Sequence, residues 1–197
     1  LGIRPLLWKN GWPVAGEVFK EGTYEIESER RGYALELAVD FVRMEYTRHR
    51  FWEKDDTPVV PLKSQTLEDV IETWPQGKIN VRIGDYMFRP HQKWTITAVP
   101  DGGGYLGGPY YKIVIEGTNR ALAATADAEV VTVPEFTGAP EQLWRIDQLT
   151  DGTYRIMPKE VPGTDKELVL ASVGDSTPSL GEFDMNSDNS KWNFRDH

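Results

Sequence analysis

Apolar residues along this chain alternate with polar ones in short runs, and helical spacing is almost absent. Gly22 to Ile26 reads as a strand with Tyr24 and Ile26 on one face, and Ala34 to Leu37 as its return after a turn at Arg31-Gly32. Tyr111 to Ile115, Ala121 to Ala124, Val130 to Val133 and Glu141 to Ile146 follow, with Thr118-Asn119 as a turn. Tyr154 to Met157, Leu168 to Ala171, Leu180 to Phe183 and Lys191 to Phe194 complete the series. Val39 to Trp52 is expected to be a strand covered on both faces, because both faces carry apolar residues. The glycine-rich stretch from Pro100 to Pro109 is expected to be an exposed turn. Thr66 to Thr73 is the helical candidate: Thr66 and Asp69 are spaced as a capping box ahead of Val70 and Ile71, in a segment short enough to be strand instead. The fold class expected is all-β.

The strands fall into repeating units. A tripeptide recurs as Gln92-Lys93-Trp94, Gln142-Leu143-Trp144 and Ser190-Lys191-Trp192, with the tryptophans 50 and 48 residues apart. An apolar residue follows each tryptophan two places later, as Ile96, Ile146 and Phe194. A Tyr-x-Ile strand opens each unit at Tyr24, Tyr111 and Tyr154. Tyrosine to tryptophan spans 33 and 38 residues in the later units and 70 in the first, so the first unit carries an insertion. Such a period means one supersecondary unit copied, each copy too small to bury its own apolar face.

Three β-rich units of this length, each ending in a Gln-x-Trp-type motif, resemble the ricin-B-type β-trefoil of carbohydrate-binding module family 13. The resemblance covers residues 17–197 and implies three copies closed about a pseudo-threefold axis. The units fall at about 17–98, 99–148 and 149–197, with the insertion at about 38–78. Ser190 stands where the third motif would have glutamine. The resemblance implies that Trp94, Trp144 and Trp192 form the repeat core.

Residues 1–16 have no counterpart in the later units. Asn10-Gly11 and Trp12-Pro13 are turn signals between apolar residues. Arg4, Pro5, Trp8, Gly11, Trp12 and Pro13 resemble the closing strand and exit of the five-bladed propeller of glycoside hydrolase family 43, in particular of arabinan-degrading enzymes with C-terminal modules. A generic leader strand packing on the trefoil is the alternative. A propeller strand without its propeller would leave an apolar edge, so the propeller is expected in the native particle. The chain begins at Leu1 and reads as a fragment or processed product of something longer.

Composition narrows the function classes. A chain of 197 residues buries about 70% of its unfolded surface, so it needs no staples. It holds no cysteine, which removes disulfides and thiolate chemistry. A net charge of −9 repels phosphate backbones and anionic lipid, so neither nucleic acid nor membrane is an expected partner. Seven tryptophans exceed what the repeat uses, and flat rings suit the C–H face of a sugar.

Trefoil lectins of the resembled type bind sugar with an aspartate just after the leucine-rich return strand, an aromatic platform and a polar residue near the Gln-x-Trp. The aspartate positions fall near Ala123 and Ala171 in the later units and near Leu37 or Ala38 in the first, so the key acid is missing from each. Tyr86, Phe136 and Phe183 lie eight or nine residues before their tryptophans, where they suit a pocket wall and the core equally. Phe183 with Asp184, Asn186, Asp188 and Asn189 is the most lectin-like patch, with a solvated hairpin turn as the alternative. Trp52 and Trp74 sit in the insertion and are candidates for an added ligand surface or for packing.

No catalytic or metal constellation is visible. Asp184 to Asn189 is spaced like the start of a calcium loop, but Asn189 stands where glycine is needed and Arg195 where a bidentate glutamate is needed. None of His49, His91 and His197 has a metal-type partner one helical turn away, and His91 reads as a surface or hairpin residue. No cofactor is expected in this chain, and the resemblance leaves calcium to the catalytic propeller.

The expected function is an accessory module of a secreted or periplasmic family 43 glycosidase, of arabinanase, arabinofuranosidase or xylosidase type, not catalytic by itself. Its partners would be plant pentose polysaccharide, arabinan before xylan or arabinoxylan, and its own catalytic propeller. A purely structural module is one alternative. The other is a module completing the catalytic cleft through Tyr46, His49 or Trp52.

Overall fold

The computed structural model of the protein describes residues 6–9, 12–15, 18–30, 33–39, 66–105, 108–173 and 177–196. Most of the first-unit insertion, including Tyr46, His49 and Trp52, lies outside these residues, as do the Arg31-Gly32 turn and His197.

Each unit contributes four strands. The first holds β3 (Gly22–Ser28), β4 (Tyr33–Leu37), β5 (Ile79–Asp85) and β6 (Trp94–Tyr105). The second holds β7 (Gly108–Ile115), β8 (Ala121–Ala124), β9 (Val130–Val133) and β10 (Trp144–Gln148). The third holds β11 (Tyr154–Pro158), β12 (Val169–Val173), β13 (Thr177–Gly181) and β14 (Trp192–Asp196). The outer strands of the units pair in a closed ring, β3–β6–β7–β10–β11–β14–β3, every neighbour antiparallel. The inner strands pair as the hairpins β4–β5, β8–β9 and β12–β13. These hairpins meet through β5–β9 pairing and a Glu129–Ser179 bridge. A six-stranded barrel capped by three hairpins is a β-trefoil, and closure leaves the ring no free edge.

The repeated residues explain why the units converge. Trp94, Trp144 and Trp192 are fully buried, as are Ile26, Ile113 and Ile156. A buried indole N–H needs an acceptor. Each finds a backbone carbonyl on the second strand of its own unit: Leu35 at 2.8 Å, Leu122 at 2.9 Å and Leu170 at 2.8 Å. One side chain therefore joins barrel to cap in every copy.

The tyrosines of the three Tyr-x-Ile strands surround the other end of the barrel, and Phe19 fills the space between them. Its ring lies 5.2 Å from Tyr24, 6.0 Å from Tyr111 and 5.5 Å from Tyr154, edge-on to each, and 4.5 Å from Phe194. The Tyr111 hydroxyl accepts from the Phe19 amide at 2.7 Å and donates to the Phe19 carbonyl at 3.1 Å. The segment leading into β3 is thus a plug for the barrel mouth.

Three local expectations are refined. Residues 66–73 are helical, with α1 at Leu67–Glu72 and the Thr66–Asp69 capping box formed in both directions. The glycine-rich stretch belongs to the β6–β7 hairpin, with a register shift between Val99 and Gly104, and Asp101, Gly103 and Gly104 are exposed while Gly102 is buried. Near the start of the chain, β1 (Leu6–Lys9) and β2 (Trp12–Ala15) form a separate two-stranded sheet, so Trp12-Pro13 lies within a strand instead of a turn.

The end of the insertion is tied to the second unit. Arg120 donates to the carbonyls of Gly77 at 2.7 Å and Pro75 at 2.8 Å. Gly117 adopts a φ of 73° in the β7–β8 turn, and a Cβ there would sit 3.0 Å from Leu67 of α1. Glycine at this position supplies both the left-handed turn and the close approach.

Candidate functional site

The tryptophan–carbonyl bonds give a structural register between units. The residue after each acceptor leucine is Glu36 in the first unit, Ala123 in the second and Ala171 in the third. Glu36, rather than Leu37 or Ala38, is therefore the first-unit equivalent of Ala123 and Ala171, and this copy carries a carboxylate where the other two carry a methyl group. The count from the Tyr-x-Ile strand agrees, since Tyr24 to Glu36 and Tyr111 to Ala123 both span 12 residues, while the longer third-unit loop stretches Tyr154 to Ala171 to 17.

Glu36 is 3% exposed, and its carboxylate is fully engaged. Arg82 Nε donates to Oε1 at 2.6 Å, Gln92 Nε2 donates to Oε2 at 2.7 Å, and His91 Nε2 lies 3.2 Å from Oε2. The elements account for this convergence. β5 pairs with β4 in the register Glu36 to Arg82, and a 3-10 turn at Pro90–Gln92 turns both His91 and Gln92 inward. Gly84 makes the room: a Cβ there would stand 2.4 Å from the Glu36 carboxylate. Burial by itself would raise the Glu36 pKa. Hydrogen bonds from His91, Arg82 and Gln92, with the charge on His91, outweigh burial and hold it below its ordinary value. His91, expected at the surface, is 3% exposed because it faces this carboxylate.

Gln92 also shapes the surface beside the acid. Its Oε1 accepts from the amides of Met87 at 2.9 Å and Arg89 at 3.4 Å, folding residues 86–89 around it. This loop holds Phe88 at a φ of 55°, a conformation that bulky residues rarely adopt, with its ring 59% exposed. The Phe88 ring meets Tyr86 edge-on at 4.4 Å. An exposed aromatic held in an uncommon backbone conformation, on a loop that Gln92 ties to a buried acid, is the feature of this unit that sequence reading missed.

The other candidates are placed differently. Tyr86, Phe136 and Phe183 are partly buried, and each has a cation over its ring: Arg195 at 4.4 Å, Lys112 at 5.5 Å and Arg155 at 5.1 Å. Lys112 and Arg155 occupy the middle of their Tyr-x-Ile strands, where the first unit has the buried Glu25, and there Arg195 comes from the paired strand β14. Around Phe183 the polar residues hold their own turn. Asp184 Oδ1 accepts from the Asn186 amide at 2.9 Å, Ser187 caps Asn189, and Asp188 pairs with Lys191. The third-unit patch lies on the connection from β13 to β14, a turn followed by a 3-10 turn at Asp188–Ser190, and Ala171 brings it no acid. In the second unit Thr132 is buried and donates to the Ile79 carbonyl, which seals the hairpin beside Ala123. Trp74 is 6% exposed and packs in the core, so it presents no face to a ligand. Trp52 lies outside the described residues. Among the described residues no cluster of three metal-ligating side chains forms. No helix among them is long and apolar enough to cross a membrane.

Comparison with known proteins agrees with the architecture. A family model described as "Ricin-type beta-trefoil lectin domain-like" matches residues 90–175. No curated protein matches the chain in sequence. Among solved structures, the chain is similar to a designed three-fold symmetric protein, ThreeFoil, at TM-score 0.56 and 19% identity, covering 89% of this chain and 99% of that one. It is similar to a lectin of Polyporus squamosus bound to a human-type influenza-binding epitope, at TM-score 0.58 and 16% identity, covering 90% of this chain and 50% of that one. It is also similar to an exo-β-1,3-galactanase from Clostridium thermocellum, at TM-score 0.54 and 15% identity, covering 93% of this chain and 32% of that one. The chain therefore spans half or less of the latter two proteins, and likenesses at these identities concern the fold.

Proposed function

We propose that this chain is an accessory module that holds neutral polysaccharide through its first unit. The observation that carries this reading is Glu36: it alone among the three equivalent positions is acidic, and the Gln92 amide orients it. A carboxylate fixed in this way accepts sugar hydroxyls in charge-assisted bonds once Arg82, which is 39% exposed, swings aside. Phe88 supplies the apolar ring face beside it. Weak affinity suffices for such a module, because tethering raises the local concentration of substrate around an attached enzyme.

The parent we propose is a secreted or periplasmic glycoside hydrolase of family 43, acting on arabinan first and xylan or arabinoxylan second. The likeness of residues 1–16 to a propeller-closing strand supports this, as does the occurrence of the same fold within a larger galactanase. On this reading the catalytic propeller is the module's constant partner and the pentose polymer its transient one.

A bracing role is the second reading, and the Phe19 plug favours it. Phe19, four residues after β2, is buried among the barrel tyrosines, which would anchor the chain just where it enters the trefoil. Calorimetric titration with arabinan and xylan oligosaccharides separates the readings. Heat of binding that disappears in Phe88→Ala, with unchanged circular dichroism, supports the sugar site. Absence of heat with every oligosaccharide overturns it in favour of bracing.

A further inference from the structure

The three units differ in the loop between their first and second strands. It runs four residues in the first unit, between Ser28 and Tyr33, and five in the second, between Ile115 and Ala121. In the third it runs ten, from residue 159 to 168. The fold closes with four or five, so the additional residues are not needed to complete the barrel. They build one wall of a cleft of about 610 Å³, whose floor is the outer face of the barrel at Tyr110, Arg145 and Met157.

This wall is preformed. Val161-Pro162-Gly163-Thr164 makes a tight turn, with Gly163 at a φ of 82° and the Thr164 amide donating to the Val161 carbonyl at 3.2 Å. Val161 is 3% exposed and belongs to the hydrophobic core, and Leu168 anchors the far end. Lys159 crosses the floor, its Nζ donating to the Gly102 carbonyl at 2.6 Å and standing 5.2 Å over the Tyr110 ring. A cleft built by ordered loop residues loses little entropy on receiving a ligand.

The lining chemistry selects the ligand class. Its three cations are already engaged, Arg145 with Asp147, Lys159 with Gly102 and Lys166 with Glu182 at 3.5 Å. Glu160 and Asp165 make no hydrogen bond or ion pair among the described residues, so their carboxylates are open acceptors. A chain of net charge −9 disfavours a polyanion, and no three acids converge to hold a metal ion. Open carboxylates beside an aromatic ring suit a ligand rich in hydroxyl donors with an apolar face for the exposed part of Tyr110. We propose that this cleft is a second carbohydrate site, outside the three positions that the repeat supplies, and that it takes a neutral oligosaccharide. It shares with the first-unit reading only the class of ligand, since Glu36 does not line it.

The test is an amide-resolved NMR titration of the full chain with short xylo-, arabino- and galacto-oligosaccharides, repeated on the exposed double variant Glu160→Gln/Asp165→Asn. The expected result is saturable shifts at residues 159–167, with affinity there reduced at least tenfold in the double variant. Shifts at residues 82–92 should be unaltered by it. Shifts confined to residues 82–92 overturn the cleft and leave the first-unit site standing. Shifts confined to 159–167 establish the cleft and overturn the first-unit site. Shifts at neither overturn both, and cleft shifts that the double variant leaves unchanged overturn the assignment of its acceptors.

Discussion

Gln92 donates to the Glu36 carboxylate at 2.7 Å while accepting from the Met87 amide at 2.9 Å. One side-chain amide thus joins the cap hairpin of the first unit to the loop that displays Phe88. The equivalent Gln142 accepts from Thr137 alone, through its amide at 2.7 Å and its hydroxyl at 3.2 Å. Gln92→Ala should therefore destabilise more than Gln142→Ala, by about 3 against about 1 kcal/mol, since only the former strips a donor from a buried carboxylate. Urea unfolding of the two variants checks this, and equal losses would count against the role given to Glu36.

Glu36 makes stability depend on acidity. Its folded pKa lies below the ordinary value of 4.5, so its contribution is complete above that value and is lost as the pH falls through the folded one. Wild-type stability should accordingly fall on acidification below about pH 4.5. Glu36→Gln, which cannot ionise, should flatten that limb. Thermal unfolding as a function of pH gives the comparison, and parallel curves would remove Glu36 as the source.

Ser190 replaces the motif glutamine in the third unit, and its hydroxyl is buried without a hydrogen-bond partner among the described residues. Removing an unpaired buried hydroxyl relieves a desolvation cost, so Ser190→Ala should stabilise by about 1 kcal/mol. A denaturation midpoint that moves down instead would show that the hydroxyl is satisfied.

Phe19→Ala should cost about 4 kcal/mol, because the tyrosines around it cannot collapse into the space it leaves. Tyr111→Phe should cost about 2 kcal/mol by leaving the buried Phe19 amide without its acceptor. Chemical denaturation measures both, and a double-mutant cycle should show the two effects to be strongly coupled.

Arg120 is 7% exposed and is the tie between the second unit and the end of the insertion. Arg120→Ala should speed amide exchange in residues 74–78 at least tenfold while leaving exchange at β8 and β9 nearly unchanged. Uniform protection in the variant would mean that packing of Trp74 and α1 holds this segment without the arginine.

The parts of this molecule that the sequence revealed are those that its repetition indexes. Trp94, Trp144 and Trp192 announce the core because the same indole bond is made three times, and the Tyr-x-Ile strands announce the barrel for the same reason. The position expected near Leu37 or Ala38 was off by a residue or two although the count was available, because Tyr24 to Glu36 and Tyr111 to Ala123 both span 12 residues. The bond from Trp94 to the Leu35 carbonyl gives the same alignment of Glu36 with Ala123. His91 looked peripheral because nothing local shows that a 3-10 turn rotates it onto a carboxylate. Phe88 carried no periodic signal, since a φ of 55° is a property of the folded loop. The third-unit cleft joins Tyr110 to a loop some fifty residues further along, and its signal was the length of that loop compared with its two counterparts.

The ring of strands is completed by β14 lying between β11 and β3, and Arg195 reaches Glu27 across 168 residues of chain. During synthesis β3 and β11 leave the ribosome before their shared neighbour β14 exists. Until β14 emerges, β3 and β11 each present an unsatisfied row of amides and carbonyls. That interval, rather than the finished barrel, is where this protein is exposed to pairing with other chains, and a holdase or rapid export would act on it there.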